Sequence, residues 1–168
     1  AGQIKAVMDD VKPVAIKIGM VNDCATIHAI ADSLSSYSPS KLVVDPVMVS
    51  TSGSMLMQRD ALEVFCSELL PMATLLTPNI PEAEVLSKTE IHTIDDMDVA
   101  AKRILAMGCK AVLIKGGHLE GNKKIDKLYL NDGTVHTFVH ATVNTRNTHG
   151  TGCTLSSAIA SFMARGLD

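Results

Sequence analysis

Residues 147 to 154 read Asn-Thr-His-Gly-Thr-Gly-Cys-Thr, and the ten that follow, Leu155 to Ala164, are small and apolar at helical spacing. A glycine turn feeding a helix suits an anion, because unpaired backbone N–H groups and the positive end of the helix macrodipole both favour negative charge there. Gly150 and Gly152 let the backbone approach a phosphate closely. Cys153 falls in the first turn, a position that favours the thiolate form of a cysteine. The same glycines could instead serve only to pack an ordinary connection. The chain has neither a Gly-x-x-x-x-Gly-Lys-Ser/Thr loop nor a Gly-x-Gly-x-x-Gly fingerprint, so a nucleotide site here needs another phosphate device.

Three further groups could complete such a site. Lys115 is followed by Gly116 and Gly117, which allow a ligand near the backbone while the ammonium neutralises phosphate oxygens; the alternative is a solvated strand-end charge. Asp45 precedes Pro46, and Asn79-Ile-Pro-Glu82 places an acid three residues after an amide. Taken singly, these read as a turn residue and a helix cap. Taken together, they supply oxygen ligands of the kind that hold magnesium beside ATP phosphates.

The elements that must position these groups follow from the hydropathy pattern. Ile4, Val7, Met8 and Val11 have helical spacing, and Val14 to Ile18 reads as a short buried strand ending at Gly19-Met20. Asn22 or Asp23 caps a helix through about Ser36, and Leu42 to Val44 forms a second strand closed by Asp45-Pro46. A polar loop, Ser50 to Ser54, leads into a helix over roughly Arg59 to Leu70. Thr74 to Thr77 is a strand stopped by Pro78, and Pro81 opens a short helix at its first position. Asp95 or Asp96 caps a helix through Met107, and Ala111 to Ile114 is a fourth buried strand. Apolar strands alternating with helices predict a parallel sheet covered on both faces. Ile125 to Leu130 and Thr134 to Val139, joined by Asn131-Asp132-Gly133, predict a hairpin. Ligands of open parallel sheets bind outside the carboxyl ends of the strands. Met20, Asp45, Asn79 with Glu82, and Lys115 all fall at such ends.

Composition narrows the function. The 168 residues suit one domain, and 15 basic against 18 acidic residues alternate without a basic stripe. With aromatics at 3% and no Trp, nucleic-acid binding has little support. Cys24, Cys66, Cys109 and Cys153 form no Cys-x-x-Cys pair, which suits a reducing cytoplasm. No apolar run reaches the ~20 residues needed to span a bilayer, and the start has no signal-peptide pattern. His136 and His140 are four apart on an expected strand, about 13 Å from each other, too far to share a metal. His28 and His92 receive no role, and the nine methionines are mostly core fillers.

Lys17-Ile-Gly-Met20, Asp45-Pro-Val-Met48 with Ser52-Gly53, Thr77-Pro-Asn-Ile-Pro-Glu-Ala-Glu84, Lys115-Gly-Gly-His118 and Asn147 to Thr154, in this order and spacing, resemble the hydroxymethylpyrimidine/phosphomethylpyrimidine kinases of thiamine biosynthesis. The resemblance implies a ribokinase-like three-layer α/β/α fold with a mostly parallel sheet and a β-hairpin near its C-terminal edge. It implies ATP and Mg2+ as cofactors, a small-molecule pyrimidine as substrate, a cytoplasmic location and a possible homodimer. By resemblance Cys153 assists deprotonation of the acceptor, and Gly150, Thr151 and Gly152 with Cys153 hold the transferring phosphoryl group. Lys115, Gly117, Asn79 and Thr151 then face ATP, Asp45 and Glu82 serve the metal, and Met20 and Val47 line the pyrimidine pocket. The broader superfamily usually places Asp where Cys153 stands; the cysteine resembles the subgroup that also includes some pyridoxal kinases.

Family members are longer, with a leading glycine-rich pyrimidine-binding segment and trailing helices near adenine. Residues 1–168 therefore resemble one partial kinase domain, and the expectation is weak or no kinase activity from this polypeptide alone. Pyridoxal kinase and a non-catalytic nucleotide-binding fragment are the alternative readings.

Overall fold

A computed structural model describes residues 1–48, 56–118, 123–145 and 149–167, with His118 described in its backbone only. The polar loop with Ser52-Gly53, and Asn147-Thr148 of the glycine-turn motif, lie outside the described residues.

Among the described residues six strands form one sheet in sequential order. β1 (Ile16–Ile18), β2 (Leu42–Val44), β3 (Leu75–Leu76) and β4 (Ala111–Ile114) are parallel; β5 (Lys123–Leu130) and β6 (Val135–Ala141) extend it as an antiparallel hairpin. The hairpin turns where Gly133 takes φ +92° and Asp132 accepts the Thr134 N–H. This is the expected mixed α/β architecture.

The central strands β2, β3 and β4 are short and buried throughout, as their apolar runs require, whereas β6 at the edge is exposed along its length. On one face Leu42, Val44, Leu76, Val112 and Ile114 join a large core with five helices. These are α1 (Gly2–Asp10), α2 (Cys24–Ser35), α3 (Arg59–Val64), α4 (Ile80–Ser87) and α5 (Ile94–Leu105). On the other face Val43, Leu75, Ala111 and Leu113, with Leu128 and Leu130 of β5, meet α6 (Thr151–Ala164), the one helix on that face among the described residues. No helix among the described residues is long and apolar enough to cross a membrane.

Several boundaries differ from the expectation. β1 begins at Ile16, since Val14 beside Pro13 is 61% exposed. Asp23 caps α2 by accepting the Thr26 N–H. Thr93, not Asp95 or Asp96, caps α5; Asp96 reaches back to the Thr93 N–H and closes a capping box. Asn79 caps α4, so Pro81 is its second residue. The helix from Arg59 continues as a π-turn over Phe65–Leu69 and a 3-10 turn over Leu70–Met72. Of the apolar run in α6, only Ser156 and Ala160 are buried, whereas Phe162 is half exposed.

Candidate active site

Asp45 after β2 and Lys115 after β4 meet the first turn of α6, with the end of β3 between them in the sheet. Beyond β4 the Lys115 N–H donates to Pro78 O at 2.9 Å, and Asn79 and Lys115 pair as a single parallel bridge. The segments after β3 and β4 thus stay side by side past the strands. The Lys115 side chain turns to Asp45, with Nζ 3.1 Å from Oδ1. Asp45 is itself fixed just after β2, its N–H donating to Ile18 O.

Asp45 is 1% exposed, and both its oxygens are engaged. Oδ1 also accepts from Thr77 Oγ1 at 3.1 Å, and Oδ2 accepts from Ser156 Oγ at 3.3 Å. A buried carboxylate persists only with such partners. Glu82 is 3% exposed; its Oε2 accepts the Asn79 N–H at 2.8 Å while Asn79 Oδ1 accepts the Glu82 N–H at 2.9 Å. Burial pushes the Glu82 carboxyl above the ordinary carboxylate range, Asp45's charge adds to this, and the Asn79 amide and Lys115 oppose it. Two carboxylates and one ammonium therefore share a dry strand edge.

The helix supplies the other half. Gly150 stands at φ +80°, a left-handed conformation that a side chain would strain. The helical ladder begins with Thr154 N–H to Gly150 O, so the amides of Gly152 and Cys153 precede it and face out of the helix start. A Cβ placed on Gly152 would lie 3.2 Å from Lys115 Nζ and 3.8 Å from Asp45 Oδ2. The ammonium and the amide turn therefore border the same space, which suits a phosphate held by both. Cys153, next in the turn, is exposed.

Most of the expected residues converge. Asp45, Asn79, Glu82, Lys115 and Gly152 form the cluster, with Gly150, Thr151 and Cys153 in the adjoining turn. Gly117 lies in a 3-10 turn after Lys115, with nothing within 4 Å of a Cβ placed on it. Val47 is tied to the cluster by its N–H to Asp45 O, and Met20, after β1, is 58% exposed. His28 pairs with Glu68 and His140 with Asp126, both on the surface. Among the described residues no group of three or more His, Cys, Asp or Glu side chains could hold a metal.

Two members of the cluster escaped the sequence reading. Thr77 looks like a strand end before Pro78, and only the fold shows that its hydroxyl supports Asp45. Ser156 was legible in principle, being four residues past Gly152 and so on the same helix face.

The model of the phosphomethylpyrimidine kinase family matches residues 1–168. A hydroxymethylpyrimidine/phosphomethylpyrimidine kinase of Rhizobium meliloti is 44% identical over 99% of the chain, and the chain spans only 62% of that relative's length. The crystal structure of a phosphomethylpyrimidine kinase from Clostridium difficile superposes with a TM-score of 0.85 at 43% identity, covering 99% of this chain and 67% of that one. An ADP complex of Bacillus subtilis pyridoxal kinase gives a TM-score of 0.89 at 33% identity, covering 99% and 62%.

Proposed function

The chain belongs to the phosphomethylpyrimidine kinase family, and from that premise we propose that the protein transfers the γ-phosphoryl group of ATP to the hydroxymethyl oxygen of hydroxymethylpyrimidine, then a second one to the resulting monophosphate. The observation that carries this reading is the position of Lys115 Nζ against the first turn of α6. Phosphoryl transfer needs little covalent help from a protein; it needs donors and cations where charge spreads over the transferring group.

In this reading the turn from Gly150 through Thr151 and Gly152 to Cys153 holds the moving phosphoryl group, and Lys115 neutralises the phosphates of ATP. Asn79, which pairs with Lys115 across the bridge, and Gly117, two residues after Lys115, line the nucleotide side. Cys153 accepts the hydroxymethyl proton as that oxygen attacks phosphorus and ADP leaves. Met20 and Val47 contact the pyrimidine ring.

Magnesium prefers oxygen ligands and keeps much of its water. Asp45 and Glu82 suit it in that form, because the Asp45 oxygens and Glu82 Oε2 already accept protein donors and would reach the ion through water. When bound, the ion would neutralise phosphate oxygens.

A coupled assay on the full-length protein should show ADP release that depends on the pyrimidine or its monophosphate; no turnover with either would reject the reading. Likeness to pyridoxal kinase favours one competitor. A higher kcat/KM for pyridoxal than for the pyrimidine would select it, and ATP binding without transfer to any of them would leave a nucleotide-binding module.

A further inference from the structure

We propose that Asp126, on the hairpin, is a positioning residue that sets the Lys115-Gly116-Gly117 turn for ATP, an inference that rests on the kinase reading above. β4 ends at Ile114 opposite Lys127 of β5, and the chain then crosses the carboxyl edge of the sheet. The turn is held from both sides. Lys115 N–H donates to Pro78 O beyond β3, and the next amide, Gly116 N–H, donates to Asp126 Oδ1 at 2.8 Å.

The approach of Gly116 to β5 is unusually close. A Cβ on Gly116 would lie 1.9 Å from Ile125 O and 2.9 Å from Ile125 C, so only glycine fits. Gly116 is thereby committed to the hairpin and gives its amide to Asp126. The next residue, Gly117, has nothing within 4 Å of a Cβ placed on it and is open to a ligand. An ionised acceptor makes a stronger bond to an amide than a neutral one does, and the other Asp126 oxygen lies 3.7 Å from His140 Nε2.

The hairpin is itself braced to the body of the domain. Lys127 Nζ and Tyr129 OH both donate to Asp98 Oδ1 on α5, and the Lys127 ammonium sits 5.3 Å from the Tyr129 ring centroid. Asp126 therefore transmits the placement of a fixed strand to the one turn that carries the phosphate-binding lysine. Without it the Gly116 amide loses its acceptor, and the turn keeps the Lys115 N–H bond to Pro78 O but loses the one that fixes the peptide after Lys115.

The test compares Asp126→Ala, Asp126→Glu and Asp126→Asn in the full-length protein. Ala removes the acceptor and Glu misplaces it by one methylene, so each should raise the KM for ATP about tenfold, the size of one charged hydrogen bond, with the pyrimidine KM changed less than about twofold. Asn keeps a carbonyl oxygen at the same place and should restore most of the ATP affinity. An unchanged KM for ATP in both Ala and Glu variants, or equal rises in the two KM values, would overturn the proposal. Calorimetric binding of a non-hydrolysable ATP analogue reads the same effect without turnover. If the parent protein phosphorylates neither pyrimidine, the kinase reading fails while this binding difference still decides the role of Asp126.

Discussion

The strand-end half of the site and its helix half are built differently. Asp45, Glu82 and Thr77 are almost wholly buried, and their polar atoms are engaged by neighbours, as is the Lys115 ammonium. The turn from Gly150 to Cys153 is largely exposed and carries no acid in its first turn to quench the helix start. The strand half is thus fixed by the same bonds that hold the sheet edge together, whereas the helix half keeps its donors and its thiol accessible. A substitution among the strand ends should register first in stability, and one in the turn first in turnover.

The sharpest way to break this contrast is Cys153→Ala. A lost proton acceptor should lower kcat for the first phosphorylation about a thousandfold, within the usual range for general base catalysis. The second phosphorylation should suffer far less, because a phosphate monoester has a second pKa of about 6 and is already anionic at neutral pH. ADP release measured with each acceptor separates the two, and equal losses would make Cys153 a packing residue of the turn. Melting temperature should stay where it was.

The next largest effect should come from Lys115→Met, which leaves Asp45 buried without its ammonium. Breaking such a pair costs about 3 kcal/mol, readable from urea unfolding, and adding Asp45→Asn should recover part of it. If Lys115→Met leaves the unfolding curve in place, the two halves do not differ as argued. The smallest effect concerns Glu82. Its carboxyl is raised by burial from the ordinary 4.5, so the native state holds that proton more tightly than the unfolded chain does. Its favourable contribution is complete at acid pH and is lost as pH climbs from 4.5 through the raised value. Glu82→Gln should flatten the stability profile over that window; an unaltered slope would place its origin elsewhere.

The sequence made the architecture readable because the parallel strands are short runs rich in Val, Ile and Leu, two of them closed by proline at Asp45-Pro46 and Thr77-Pro78. The edge on which the polar groups gather followed from strand direction alone. Their partners did not, since Lys115 and Asp45 meet across 70 residues and only the register of β2, β3 and β4 brings them together. Asp126 was invisible for a related reason. In the sequence it is one charge in a lysine-rich strand, and it acquires meaning only when β5 is laid antiparallel beside β4. The π-turn at Phe65–Leu69 had no signature either, because the inward residues Phe65 and Leu69 keep an ordinary helical spacing. Thr93 could have been found, as Thr93-Ile-Asp-Asp96 has the spacing of a capping box.

Helix α6 carries Gly152, Ser156 and Ala160 one turn apart on one face: Gly152 and Ser156 lie against Asp45, and Ala160 packs on the sheet with Ile159 and Met163. Such a seat makes the helix a lever. Ala160 lies eight residues, or about 12 Å, from the glycine that stands against the Lys115 ammonium, and both belong to one helix. Volume added at the far contact would be felt as tilt at the near end, the end that holds the phosphate in the kinase reading. In the kinase reading, the packing of Ala160 and the placement of the Gly150 to Cys153 turn are then one problem, and a methyl group buried at the far contact bears on the turn as well as on the core.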